Sequence, residues 1–321
     1  MSNAKLVRKV QKFVDDLAAA GGKPLYELSP EEARKVLIKV QDVPVNTEEM
    51  SFEDVNVPVR DGENIIVRFV RPKDAAENLP VIYYVHGGGW IMGNLETHDR
   101  LVRELSRKVR AAVVYPVYTP SPEAQYPRPP EELFSALLHI AENAGRYRID
   151  AGRLALAGDS VGGNMAAALT LMAKANGNVP AIRAQLLLYP VTNDDFETES
   201  YRAFADGPWL TRKAMEWFWG AYAPEKSDRS KVTVCPLKAD ISELEGLPPA
   251  LVITDENDVL RDEGEAYARK LDEAGVDAAC VRFNGTIHDF MMLNALAETP
   301  QTKAAIALAA DFLKKYLSSV R

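Results

Sequence analysis

Residues 153–164 read RLALAGDSVGGN, and this stretch decides the fold. A short apolar run, Leu154 to Ala157, stops at Gly158-Asp159-Ser160-Val161-Gly162 and gives way to an alanine-rich segment over Asn164–Leu171 with the composition of a buried helix. A serine set between a core strand and a helix, with glycine two positions away on either side, marks a turn too tight for larger residues at the flanks. Such a turn pushes the serine oxygen out of the chain and into a crevice, so Ser160 is the expected nucleophile.

The same kind of apolar run recurs outward from it. VIYYV at 81–85, AAVVY at 111–115, AQLLLY at 184–189 and ALVIT at 250–254 do not alternate in polarity, as expected of parallel strands covered on both faces. Helical patterns separate most of them, at about 97–109, 131–144, 161–175 and 262–274, and a strand near 279–283 and a helix over 301–318 close the series. Before them, FEDVNVPV and NIIVRFV alternate around Asp61-Gly62, the signal of an antiparallel hairpin. The expected architecture is therefore α/β: a mostly parallel central sheet of about eight strands flanked by helices, with its ligand beyond the carboxyl ends of the strands.

Two regions stand outside this rhythm. Residues 1–50 hold an amphipathic stripe of Leu6, Val7, Val10, Phe13, Val14 and Leu17, then a second helix opened by Ser29-Pro30-Glu31-Glu32. Residues 190–235 begin an interval of roughly 60 residues without a core strand, where Trp209, Trp217 and Trp219 concentrate. Together they are expected to form a helical cap, with 51–189 and 236–321 as the two parts of the core. A cap needs an apolar inner face, which makes Trp90, Met92, Trp209, Phe218 and Trp219 candidate walls of a substrate pocket.

Serine chemistry needs a base, and the chain has four histidines. His139 lies inside a helical pattern, His98 opens one in ETHDR and is expected to be solvated, and His86 closes a strand. His288 follows the last strand in NGTIHDF, in the loop position and chain order that a base requires. The acid should lie between Ser160 and His288 in the chain; the loop DENDVLRDEG offers Asp255, at the strand end with little reach, and Asp258, further round the loop. Asp262 and Glu263 suit the start of the next helix. Loop geometry favours Asp258 only modestly over its neighbours.

His86-Gly87-Gly88-Gly89-Trp90 supplies the remaining component. No Gly-Lys-Ser/Thr follows the glycines, so a phosphate loop is not indicated. Backbone N–H groups of Gly88 and Gly89, joined by that of Val161, suit an oxyanion hole, with His86 and Gly87 supporting the loop.

Taken together, HGGGW and GDSVGGN resemble the hormone-sensitive-lipase-like family of the α/β-hydrolase fold, the bacterial and archaeal carboxylesterases, from about residue 50 onward. The resemblance singles out Asp258 in VITDENDVLRDEG as the triad acid. It implies a helical cap, hydrolysis of short- to medium-chain esters through an acyl-enzyme, no metal or other cofactor and, in several members, a homodimer. The chain departs from the family pattern at Val161, where alanine is usual, at Asp289, where glycine is usual, and at Val117 and Thr119, where aspartate and arginine are usual.

Composition narrows the alternatives. With 46 acidic against 38 basic residues, a net charge of -8 and no basic block, nucleic acid is not an expected partner. The two cysteines, Cys235 and Cys280, have neither metal-ligand nor disulfide-framework spacing, and fit a reducing, cytoplasmic setting. No long uncharged apolar run predicts a membrane span. An amidase or peptidase using the same triad, and a non-catalytic binding module on the same sheet, are the competing readings.

Overall fold

The computed structural model describes residues 4–75, 78–177 and 181–318. Two helices, α1 (Arg8–Ala20) and α2 (Pro30–Gln41), precede the antiparallel pair β1 (Met50–Pro58) and β2 (Asn64–Pro72). Alternation follows through β3 (Leu79–Val85), α3 (Asp99–Val109), β4 (Ala112–Val117), α4 (Arg128–Glu142), β5 (Ile149–Asp159), α5 (Val161–Asn176) and β6 (Ile182–Leu188). The remainder comprises α6 (Glu199–Ala203), α7 (Arg212–Tyr222), α8 (Ile241–Leu244), β7 (Ala250–Asn257), α9 (Arg261–Glu273), β8 (Ala278–Ile287) and α10 (Pro300–Leu317).

The eight strands form one sheet in the order β1-β2-β4-β3-β5-β6-β7-β8, antiparallel as far as β4 and parallel from β4 to β8. Where both faces are covered, every residue is inside: Val81 to Val85 of β3 are fully buried. At the open edge most of β1 is exposed, Phe52 included, and Asp54 pairs with Arg68 across the hairpin. Asp61-Gly62 makes the connection through a 3-10 turn over Arg60–Gly62 rather than a two-residue turn.

Capping chemistry sets several helix starts. Ser29 caps α2 reciprocally with Glu32, its Oγ accepting from the Glu32 amide while the Glu32 carboxylate accepts from the Ser29 amide, and Pro30 takes the first turn. Helix α4 begins earlier than its apolar pattern, because Pro129 and Pro130 lie in its first turn, where no helical N–H is needed.

Strand register brings the functional loops level. Val85 pairs with Gly158, Asp159 with Leu188, and Asn257 with Ile287. The loops after β3, β5, β7 and β8 therefore leave the sheet side by side, and chain order reverses beside β3, the position at which open α/β sheets place their ligands. Both extra segments sit over that rim. From the N-terminal one, the Val7 amide donates to the Gly285 carbonyl, Arg34 to the Ile91 carbonyl, and the Gln41 side chain to the carbonyls of Thr97 and Met292. From the later one, Ser200 Oγ donates to the Val259 carbonyl, and the Phe13 and Trp209 rings of the two segments meet at 5.7 Å.

Candidate active site

Ser160 occupies the turn between β5 and α5 with φ +54° and ψ -121°, a conformation that side-chain-bearing residues seldom adopt and that persists only where surroundings enforce it. The flanking glycines show the enforcement. A Cβ on Gly158 would stand 2.3 Å from the Gly162 carbonyl oxygen, and one on Gly162 would stand 2.1 Å from that of Val85. Only glycine permits strand, turn and helix to approach so closely. The Ser160 amide is tied to the Leu188 carbonyl at 2.8 Å.

Two other loops converge on the serine oxygen. His288 Nε2 lies 2.9 Å from Ser160 Oγ, and His288 Nδ1 lies 2.7 Å from Asp258 Oδ2. All three side chains are nearly excluded from solvent. The other oxygen of Asp258 accepts from the Leu260 amide at 3.0 Å, which fixes the carboxylate's orientation. Asp255 lies nearby but is hydrogen-bonded to Thr286 Oγ1, at 3.1 Å, rather than to His288.

Facing the serine, the loop after β3 has its own constraints. Gly88 and Gly89 take φ of +107° and +65°. A Cβ on Gly88 would press the Met92 backbone at 2.6 Å, and one on Gly89 would enter the Phe218 ring at 2.3 Å. The Gly88 carbonyl accepts from the Met92 amide at 2.8 Å, and His86 Nδ1–H donates to the Gly87 carbonyl at 2.9 Å. Burial, with the His98 ring close by, pulls the His86 imidazole down to about 4, so His86 stays neutral and braces the loop.

A family model described as alpha/beta hydrolase fold matches residues 82–292, the span carrying all these loops. The chain belongs to this family, in its hormone-sensitive-lipase-like branch. Among its relatives, an alpha/beta hydrolase of Acanthamoeba polyphaga mimivirus is 42% identical over 306 residues, 95% of this chain and 87% of that protein. Ethyl acetate hydrolase of Pseudomonas putida is 31% identical over 298 residues, 92% of each chain. The crystal structure of a thermostable esterase from Pseudomonas putida ECU1011 superposes with a TM-score of 0.97 at 45% identity, covering 100% of both chains.

Against this α/β-hydrolase framework, one expectation from sequence needs correcting. His98 is fully buried, not solvated: its Nε2–H donates to Asp159 Oδ2 at 3.1 Å, and its Nδ1 stands 2.9 Å from Thr97 Oγ1. The charged neighbours Glu96, Asp99 and Arg100 make the segment look like a helix start in water, whereas His98 turns inward just before α3. His139 is half-buried beside the Tyr147 hydroxyl at 3.2 Å, a packing role. Asp194 pairs with Lys238 at 2.5 Å.

The aromatic candidates divide. Trp90 is buried flat against Tyr222, 4.2 Å between ring centroids, with Trp219 at 4.9 Å, so these two form a packed layer beneath the loop. The Phe218 ring lies against Gly89, the Met92 backbone lies against Gly88, and Trp209 donates its indole N–H to Asp289 Oδ2 at 3.0 Å, so these three contact the glycine loop or the residue after His288.

Asp289 alters the electrostatics. It follows His288 with φ +67°, and its Oδ1 lies 3.5 Å from His288 Nε2 with no hydrogen-bond partner among the described residues. Burial alone would lower the His288 imidazole, yet the carboxylates of Asp258 and Asp289, the Asp258 hydrogen bond and Asp255 outweigh it and lift the group to about 10. Burial raises the Asp289 carboxyl above the usual range, against the opposing pull of His288. Asp255, buried beside the Asp258 charge, is also pushed well up. Asp255, Asp258 and His288 lie close enough to suggest a metal trio, but both His288 nitrogens already face Asp258 and Ser160.

Proposed function

We propose that Ser160, His288 and Asp258 carry out the carboxylic-ester hydrolysis that this enzyme performs. The observation that carries the assignment is the continuous line from Asp258 Oδ2 through His288 to Ser160 Oγ, with contacts of 2.7 and 2.9 Å. In that line Ser160 attacks the ester carbonyl and gives its proton to His288 Nε2, while Asp258 holds the imidazole tautomer and stabilises the imidazolium. Negative charge gathers on the carbonyl oxygen, where the amides of Gly88, Gly89 and Val161 receive it; one such donor accounts for ~3 kcal/mol of barrier lowering. His288 then protonates the departing alcohol, and water repeats the sequence on the acyl-enzyme.

The substrate class is a small ester with a short to medium acyl chain, supported by the ethyl acetate hydrolase relative, by the bulk of Val161 next to the serine, and by the Phe218 ring packed against Gly89. The described residues of 1–50 and 190–235 form the cap over the rim, with those of 51–189 and 236–321 as the core; residues 1–3, 76–77, 178–180 and 319–321 of these spans lie outside the described residues. Trp209 and Phe218 line the substrate pocket, as does Met92; Trp90 and Trp219 back it. No described helix is long and apolar enough to cross a membrane. Two free thiols, Cys235 and Cys280, favour the cytoplasm, and an outer strand β8 that among the described residues pairs only with β7 favours a homodimer through that edge.

The test is turnover of a p-nitrophenyl ester series from acetyl to dodecanoyl, beside the matching anilides, by the wild type and Ser160→Ala. Ester turnover falling to background in the variant is expected, with anilide turnover far weaker in the wild type. Undiminished ester turnover by Ser160→Ala would overturn the assignment, and anilides cleaved as fast as esters would favour an amidase.

A further inference from the structure

Immediately before the nucleophile lies a buried carboxylate that the triad mechanism leaves unused. Asp159 is fully excluded from solvent, and three donors converge on it: the Tyr84 hydroxyl at 2.7 Å and the Gly87 amide at 3.1 Å on Oδ1, and His98 Nε2–H at 3.1 Å on Oδ2. Burial pushes its carboxyl upward, but His98 and the Tyr84 hydrogen bond outweigh this and leave it below the ordinary aspartate value, so the ion is the resident form. Placing an ion there costs several kcal/mol that its partners must offset. A neutral side chain would have filled the space more cheaply.

The geometry says what the ion holds. A Cβ on Gly87 would sit 2.3 Å from Asp159 Oδ2, so the carboxylate lies directly beneath the Gly87 backbone. Its Oδ1 takes the Gly87 N–H on one side of that residue, and His86 Nδ1–H takes the Gly87 carbonyl on the other. A trans peptide is planar, with C=O and N–H pointing in opposite directions, so the plane that carries the Gly87 carbonyl also carries the Gly88 N–H. Pinning the first aims the second. The next plane is pinned likewise, the Gly88 carbonyl accepting from the Met92 amide and thereby orienting the Gly89 N–H. The Gly87 segment, with two more glycines after it, has no side chain of its own to resist rotation.

We propose that Asp159, steadied by His98, is a positioning residue for the oxyanion loop, fixing the Gly87 backbone so that the Gly88 and Gly89 amides face the oxygen developing over Ser160. This deepens the triad assignment and rests on it. Thr97 extends the support: its Oγ1 meets His98 Nδ1, and its carbonyl accepts from Gln41 of α2, linking the N-terminal helices to the same loop. Donors that are aimed in advance act on the charged transition state more than on the neutral ester, so their disturbance should appear in kcat rather than KM.

The experiment uses the full chain with Asp159→Ala, Asp159→Asn, His98→Ala and, alongside, Ser160→Ala. The readouts are kcat and KM for a p-nitrophenyl ester and the inhibition constant of an alkyl trifluoromethyl ketone, whose adduct on the serine carries the oxyanion. Asp159→Ala is expected to lower kcat ~10- to ~100-fold with KM within about threefold, and to weaken the ketone by the same factor as kcat. Asp159→Asn, whose amide oxygen still accepts from Tyr84 and Gly87, should recover most of the loss. If Asp159→Ala does not fold, His98→Ala, which leaves the carboxylate in place, should show the same split at smaller size. Unchanged kcat and ketone affinity in the folded variants, or a loss carried by KM, would overturn the proposal. Retained turnover by Ser160→Ala would instead strike the serine assignment, so the two failures are distinguishable.

Discussion

Replacing Asp289 by asparagine should move the rising limb of the pH–rate profile toward acid. The free enzyme needs neutral His288, and an adjacent carboxylate holds its proton on; removing that charge lets the proton leave at lower pH. With Asp289 Oδ1 3.5 Å from His288 Nε2, a unit charge pair at an effective dielectric of ~20 amounts to ~5 kcal/mol, or ~3.5 pH units. The real shift must be smaller. Asp289 shares its charge with the Trp209 indole, and burial favours its neutral form, which weakens the charge it presents to the imidazole. A displacement of ~1 to ~2 units is the expected outcome. Asparagine tolerates the left-handed backbone at this position, so the substitution removes charge without adding backbone strain. The assay is kcat/KM by pH-stat for the wild type and Asp289→Asn, with circular dichroism confirming the fold at each pH. A limb that stays put, or that moves toward alkali, would refute the claim that the Asp289 charge holds the proton on His288.

Trp209→Phe withdraws the indole donor from Asp289, which should raise that carboxyl further and move the same limb toward acid by less than Asp289→Asn does; a shift toward alkali would contradict it. Asp258→Asn should leave ester binding intact but cut kcat ~10⁴-fold, read from steady-state kinetics, because the imidazole loses the partner that fixes its tautomer. Gly162→Ala forces a methyl group against the Val85 carbonyl and should cost ~1 to ~3 kcal/mol or prevent folding, measured by denaturant unfolding. Gln41→Ala leaves the Thr97 carbonyl and the Asn294 amide without their side-chain partner, and a loss of ~1 to ~3 kcal/mol should appear in the same measurement.

Local constraints are legible in the order of the residues. A covered parallel strand is apolar on both faces, and a turn between strand and helix needs small residues on either side, so the α/β core, the elbow at Ser160 and the glycine loop can be read from neighbouring residues alone. The capping of α2 by Ser29 and Glu32 belongs to the same class. His288 stands out because it is the one histidine that follows the last strand. Asp258 is different: Asp255 and Asp258 lie three positions apart in one loop, and their spacing favours one over the other only weakly without the family resemblance.

What tertiary structure alone decided was partnership across the sheet. His98 carries charged neighbours in the chain, yet its ring is driven inward to a carboxylate 61 residues away that strand pairing places beneath Gly87. Asp289 looks in sequence like a simple replacement for glycine, and only the fold puts one of its oxygens beside the imidazole and the other under Trp209. Hydrophobic pattern and backbone sterics act between neighbours and so leave a trace in sequence order. The field at a buried ionisable group is set by whichever charges folding brings within a few ångströms, and chain order holds no record of those distances.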